Sequence, residues 1–151
     1  MALRNILKID EDADILRKKS REIQVIDNKI LTLLDDMRET MEKAGGVGLA
    51  APQVGVLKRA VVINIGEGLI EFINPVIVYQ KGEQCNEEGC LSIPGKSGKV
   101  NRPQKVIVRA QNRKGETFEL EAEDLLAIAC CHEIDHLNGI VYTDKVIEMC
   151  E

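Results

Sequence analysis

Both histidines of this chain fall in one pentapeptide, His132-Glu133-Ile134-Asp135-His136. On a helix, four residues turn through about 400°, so the two imidazoles project from one face about one turn apart. That arrangement suits two nitrogen ligands on one metal ion, with Glu133 beside it as a general base. A catalytic ion of this kind takes three protein ligands and keeps a position open for water. The chain has no third histidine, and position 142, where one such motif places it, is Tyr142. The third ligand is then a carboxylate or a cysteine. Of the five cysteines, Cys90 leads. It sits in Glu88-Gly89-Cys90-Leu91-Ser92, a loop or strand end rich in small and polar residues. Cys130 and Cys131 stand about 200° and about 100° round the helix from His132, so neither points well at a shared ion. Cys85 has no supporting motif, and Cys150 stands next to the terminus.

Two other motifs fail on context. Gly46-Val47-Gly48-Leu49-Ala50-Ala51 fits G-x-G-x-x-A, but it follows a helical pattern rather than a strand, so it does not read as a dinucleotide loop. Gly95-Lys96-Ser97 resembles the end of a phosphate loop, but Cys90 stands where that loop requires glycine.

The elements that must position these residues follow from periodicity. Ile30, Leu33, Leu34, Met37, Met41 and Ala44 recur at steps of three and four, which predicts an amphipathic helix. Asp27 is its N-cap and Gly45-Gly46 its stop. A shorter helix is expected over 13–19, and a small-residue loop over 45–55. Strands are expected at 60–65, 69–73 and 75–80, and at 105–110 and 117–122. The last two form a pair across the turn residues Asn112-Arg113-Lys114-Gly115. A final helix over 123–137 carries the histidines, with Leu125, Ile128 and Ala129 on their side, and a short strand is expected at 140–142. The order of helix, many strands and helix predicts an α+β fold. Mostly antiparallel sheets would pack around the C-terminal metal-binding helix, with an amphipathic helix nearer the N-terminus.

Composition bounds the rest. The chain has 151 residues, enough for one domain spanning 1–151. It carries 20 basic and 25 acidic residues, a net charge of −5, with 3% aromatic residues, which argues against direct nucleic-acid binding. An odd number of cysteines excludes a fully paired disulfide framework. No apolar run reaches the ~20 residues that span a bilayer, and the N-terminal segment lacks the apolar region of a signal peptide. A cytoplasmic protein is expected.

Three segments in order, Gly46-Val47-Gly48-Leu49-Ala50-Ala51-Pro52-Gln53, Glu88-Gly89-Cys90-Leu91-Ser92 and His132-Glu133-Ile134-Asp135-His136, resemble peptide deformylase. The likeness covers nearly the whole chain and includes the stretch from Ile93-Pro94-Gly95 through Arg102-Pro103. It implies a hydrolase that removes formyl from the formylmethionine of newly made polypeptides and releases formate. The implied metal ligands are Cys90, His132 and His136, with water in the fourth position. The resemblance implies Fe2+ as the ion in the cell, with Zn2+, Ni2+ or Co2+ suited to the same donors in purified protein. Glu133 is implied as acid and base, Gln53 and the Leu91 backbone N–H as oxyanion donors, and Gly48 as a contact for the substrate backbone. The methionine pocket would draw on Val47, Glu88, Gly89, Leu125, Ile128, Ala129 and His132. The implied partners are nascent formyl-Met peptides near the ribosome, met by a monomer without a membrane. Cys131 departs from the family, which often has glutamine before the first metal histidine. The chain ends soon after the last motif, so no tail-mediated ribosome contact is expected. Two other readings compete: a peptidase sharing the His-Glu-x-x-His chemistry, and a closed structural metal site, which would need a fourth protein ligand.

Overall fold

The computed structural model describes residues 2–150. Met1 and Glu151, the ends of the expected unit, lie outside the described residues. In chain order the elements are α1 (Ile9–Leu16), α2 (Asn28–Ala44), β1 (Gly48–Ala50), β2 (Ala60–Ile63), β3 (Ile70–Lys81), β4 (Gln84–Cys90), β5 (Ile93–Arg102), β6 (Lys105–Gln111), β7 (Thr117–Glu123), α3 (Asp124–Leu137) and β8 (Val146–Cys150). One sheet has the order β1-β2-β3-β6-β7, and a second has β4-β5-β8. Every strand pairing within them is antiparallel. This is the α+β architecture expected from the sequence.

The larger sheet is sandwiched between α2 and α3, and its side chains alternate between the two. In β2, Ala60 and Val62 pack with α2 residues Leu33, Leu34, Met37 and Met41. Val61 and Ile63 face the other way, into a cluster with Ala127, Cys130, Ile134 and Leu137 of α3. A strand buried on both faces reads as an unbroken apolar run, which is why 60–65 is legible as a strand at all. The period of two then assigns each residue to one layer. Burying each large aliphatic side chain stabilises the fold by roughly 1.5–3 kcal/mol.

Local signals hold at α2. The Asp27 carboxylate accepts a hydrogen bond from the Ile30 N–H at 3.1 Å. Gly45 ends the helix at φ 72°, and its N–H donates to the Glu42 carbonyl. The C-terminus of α3 is tied differently. The Arg59 guanidinium donates to the Leu137 carbonyl at 3.0 Å and to Asn138 Oδ1 at 3.0 Å. A cation there also meets the negative end of the helix dipole.

Four expectations are corrected. The first helix lies at Ile9–Leu16 rather than 13–19, with Asp10, Glu11 and Asp12 in its first turn, where acidic side chains meet the positive end of the helix dipole. Residues 45–55 are not all loop: β1 pairs with β2, Gly48 opposite Ile63, before a 3-10 turn at Ala51–Val54. That pairing is tertiary, and small residues conceal it. The strands expected at 69–73 and 75–80 are one strand, β3. Pro75 is accommodated at a register shift between Ile73 and Val76, where the ladder can spare its missing N–H. Asn74, at φ 53°, bonds the Ile23 backbone in both directions through its side chain. Finally, no strand forms at 140–142: residues 140 and 141 are irregular and lead into a 3-10 turn, Tyr142–Asp144, followed by β8, which pairs with β5.

Candidate metal centre

Placement in the fold brings one cysteine to the histidine pair. The ligand atoms of Cys90, His132 and His136 all lie within 4.8 Å of one another. Cys90 Sγ is 3.3 Å from His136 Nε2. The other four cysteines stand apart. Cys130 is fully buried in the core between α3 and the larger sheet. Cys131 lies by Arg102 and Asp135 in a separate cleft. Cys85 is exposed. Cys150 stands in β8 opposite Ser97 rather than in a frayed end. Burial pushes the Cys130 thiol up to about 12 and the Cys131 thiol to about 11, so both stay protonated as packing groups.

The cluster arises where the two sheets meet α3. Cys90 is the last residue of β4, and the helix sets His132 and His136 one turn apart, with ring centroids 5.1 Å from each other. Both histidines are buried, and His136 is only 1% exposed. Burial holds His136 well below the ordinary histidine range, so it stays neutral and able to ligate. A thiolate and two imidazoles form a soft three-donor set that fits a divalent transition metal.

His132 is oriented from behind. Its Nδ1 lies 2.9 Å from Glu88 Oε1. Glu88 is held in turn by Arg102, whose Nε and Nη2 donate at 2.8 and 2.9 Å. Arg102 Nη1 donates to Asp135 at 2.7 Å, and Lys145 pairs with Asp135 at 3.0 Å. Burial opposes the charge on Glu88, but hydrogen bonds from Arg102 and His132 overcome it and hold the carboxyl below its usual range. A carboxylate behind a ligating histidine fixes its tautomer and ring direction.

Cys90 and His132 of this cluster line a cleft of about 290 Å3. Its walls bring together the residues that the sequence picked out: Val47, Gly48 and Gln53 from one side, Glu88, Gly89 and Leu91 from another, and Leu125, Ile128, Ala129 and Glu133 from α3. Glu88 contributes its stem here, since its carboxylate is committed to Arg102 and His132. Gln53 is 1% exposed. Its carbonyl accepts from the Ala50 N–H at 2.9 Å, and its Nε2 donates to Ser92 Oγ at 3.1 Å and approaches Cys90 Sγ at 3.6 Å. That holds the amide nitrogen beside the ligand cluster.

Glu133 is 5% exposed, and its Oε1 has no hydrogen-bond partner among the described residues. Burial pushes its carboxyl up to about 7, so it can take or hold a proton near neutrality. Gly48 makes room for it. A Cβ at Gly48 would lie 2.6 Å from Glu133 Oε2 and 2.9 Å from its Cδ. Gly48→Ala is therefore expected to displace the carboxylate and lower kcat by up to about 10²-fold with metal content unchanged, since an ångström of misplacement can cost that much. Steady-state kinetics with metal analysis checks it.

Sequence reasoning missed three supporting residues, Arg102, Ser92 and Tyr142. Arg102 lies in a stretch already noted as family-like, yet nothing local says that an arginine there is only 3% exposed.

The polypeptide deformylase family model matches residues 3–151. The peptide deformylase of Acetivibrio thermocellus is 65% identical over 140 residues, covering 92% of this chain and 82% of that protein. That of Alkaliphilus metalliredigens is 59% identical over 148 residues, covering 98% and 99%. Among solved structures, a peptide deformylase from Legionella pneumophila superposes with a TM-score of 0.90 at 44% identity, covering 95% of this chain and 86% of that one. One from Ehrlichia chaffeensis, in complex with actinonin, gives 0.93 at 37% identity, covering 97% and 90%. The agreement runs through the whole chain, in sequence and in backbone, and not only through its motifs: the chain belongs to the polypeptide deformylase family.

Proposed function

We propose that this chain removes the formyl group from the N-terminal formylmethionine of newly made polypeptides and releases formate. The observation that carries this reading is the meeting of Cys90, His132 and His136 within 4.8 Å beside a cleft lined by Cys90, His132 and Glu133. Three protein donors leave a tetrahedral ion one free position, which favours catalysis over a closed structural site. When bound, a divalent ion supplies a water acidified toward about pH 7 and a positive charge facing the carbonyl oxygen. The donor set suits several divalent transition ions, and the family resemblance favours Fe2+ among them.

The chain's own residues do the rest. Glu133 accepts the proton of the attacking water and delivers it to the departing amine. The Gln53 amide and the Leu91 N–H donate to the oxygen on which charge develops; one such donor is typically worth about 2.7–4 kcal/mol. Val47, Gly89, Leu125, Ile128 and Ala129 supply the wall for the methionine side chain. The peptide has a natural track. β1 and β4 each stand at the edge of a sheet, and both border the cleft, so their free backbone groups can pair with an extended chain. We further assign the protein to the cytoplasm, as a monomeric single catalytic domain meeting nascent chains near the ribosome. Among the described residues no helix is long and apolar enough to cross a membrane.

The test is formate release from formyl-Met-Ala-Ser by protein purified without oxygen and analysed for metal. One ion per chain and formate release are expected, with activity lost to a chelator and restored by Fe2+. Metal-replete protein that releases no formate would overturn the reading, and cleavage of unformylated Met-Ala-Ser would point to a peptidase instead.

A further inference from the structure

The Glu88 hydrogen bond sets where His132 points, because the Nδ1–H donates to the carboxylate along a direction in the ring plane. It does not by itself set the plane of the ring. A second contact does. The ring of Tyr142 lies against His132 with centroids 6.0 Å apart and planes within 22°, an offset stack. Tyr142 is only 1% exposed, packed with Ile93, Val100 and Val141 and against Cys90, so it also lies behind a second member of the ligand cluster.

The chain goes to some length to hold that ring still. On leaving α3 it presses so closely on α1 that a Cβ at Gly139 would meet the Arg17 carbonyl at 2.2 Å. The 3-10 turn carrying Tyr142 is closed by the Val141 N–H donating to Asp144 Oδ2 at 3.0 Å. Asp144 is ion-paired to Arg17. The Tyr142 hydroxyl, by contrast, is buried without a hydrogen-bond partner among the described residues. The ring is used and the hydroxyl is not.

We propose that Tyr142 is a positioning residue for the metal centre: its ring, stacked on His132, fixes the imidazole plane and so the direction of the Nε2 lone pair toward the ion. This rests on the reading of Cys90, His132 and His136 as the ligands. Outer residues that orient a ligating histidine typically change metal affinity by about 10–100-fold when altered.

The experiment uses the full chain loaded with Co2+, whose visible absorption bands report ligand geometry independently of turnover, and a chelator competition that gives the dissociation constant. Tyr142→Phe keeps the ring and is expected to leave the bands unchanged and the dissociation constant within about twofold. Tyr142→Met fills the space with a flexible chain, and is expected to shift the bands and weaken binding by about 10–100-fold while circular dichroism stays that of the folded protein. Tyr142→Leu serves the same purpose if the methionine variant does not fold. Unchanged bands and affinity in the Met or Leu variant would overturn the proposal, as would a Phe variant that loses metal as readily as they do. Wild-type protein that takes up no Co2+ would overturn the ligand reading beneath it.

Discussion

Glu133→Gln is expected to lower formyl-peptide turnover by about 10²–10⁴-fold while the metal stays bound. The substitution keeps the shape of the side chain, which matters because Gly48 leaves so little room beside it. It also keeps the ligands, since Cys90, His132 and His136 meet without Glu133. What it removes is the proton acceptor. The buried carboxyl, raised to about 7, is suited to taking a proton in one half of the reaction and returning it in the other; an amide can do neither. Folding should not suffer, because a neutral amide replaces a group whose charge is penalised by burial. The measurement is kcat on formyl-Met-Ala-Ser together with metal content per chain. Turnover near that of the wild type would mean that another group carries the proton.

Arg102→Ala is expected to cost about 3–5 kcal/mol of folding stability, the usual cost of leaving one member of a buried ion pair alone. For a chain of this size that corresponds to a fall in Tm of roughly 6–20 °C. Arg102 makes three short hydrogen bonds to two carboxylates, and both it and Glu88 are nearly inaccessible. Removing it strands Glu88 beside His132. A variant that neutralises both partners, Glu88→Gln with Arg102→Met, should recover most of the stability, yet it weakens the hold on His132. Calorimetry and metal affinity therefore move apart, and a double variant as unstable as Arg102→Ala would show that packing rather than charge sets the cost. The pair also gives a pH dependence in the wild type. Glu88 is held below its ordinary value of 4.5, so the stability it contributes is present above about pH 4.5 and drains away as pH falls through the lower, folded-state value.

Much of the site was legible because its chemistry is local. His132, Glu133 and His136 lie within five residues, and the helical period alone puts both imidazoles on one face. The apolar stripe of Leu125, Ile128 and Ala129 follows from the same period and does line the cleft with them. The ends of α2 were legible too, since Asp27 and Gly45 satisfy backbone groups within one turn of themselves. The second sheet was not. β4 is polar and mostly exposed, β5 is mostly polar with Ile93 and Val100 seven residues apart, and β8 is short, so no alternation of apolar residues marks them. Their pairing is held by backbone hydrogen bonds that any sequence can make.

By itself, then, the amino-acid sequence determined the reaction class: a paired-histidine helix with its own base, and a family signature spread over three segments. Only the tertiary structure brings Cys90, already favoured by the sequence, up to that helix, with Cys130 turned into the core and Cys131 lining a different cleft. The fold also decided that Glu88 turns its charge inward to Arg102, and that Tyr142 lies against His132. The physical reason is range. Helical phase and capping act over about four residues, whereas Cys90 and His136 are 46 residues apart in sequence and meet only once a sheet and a helix have packed together.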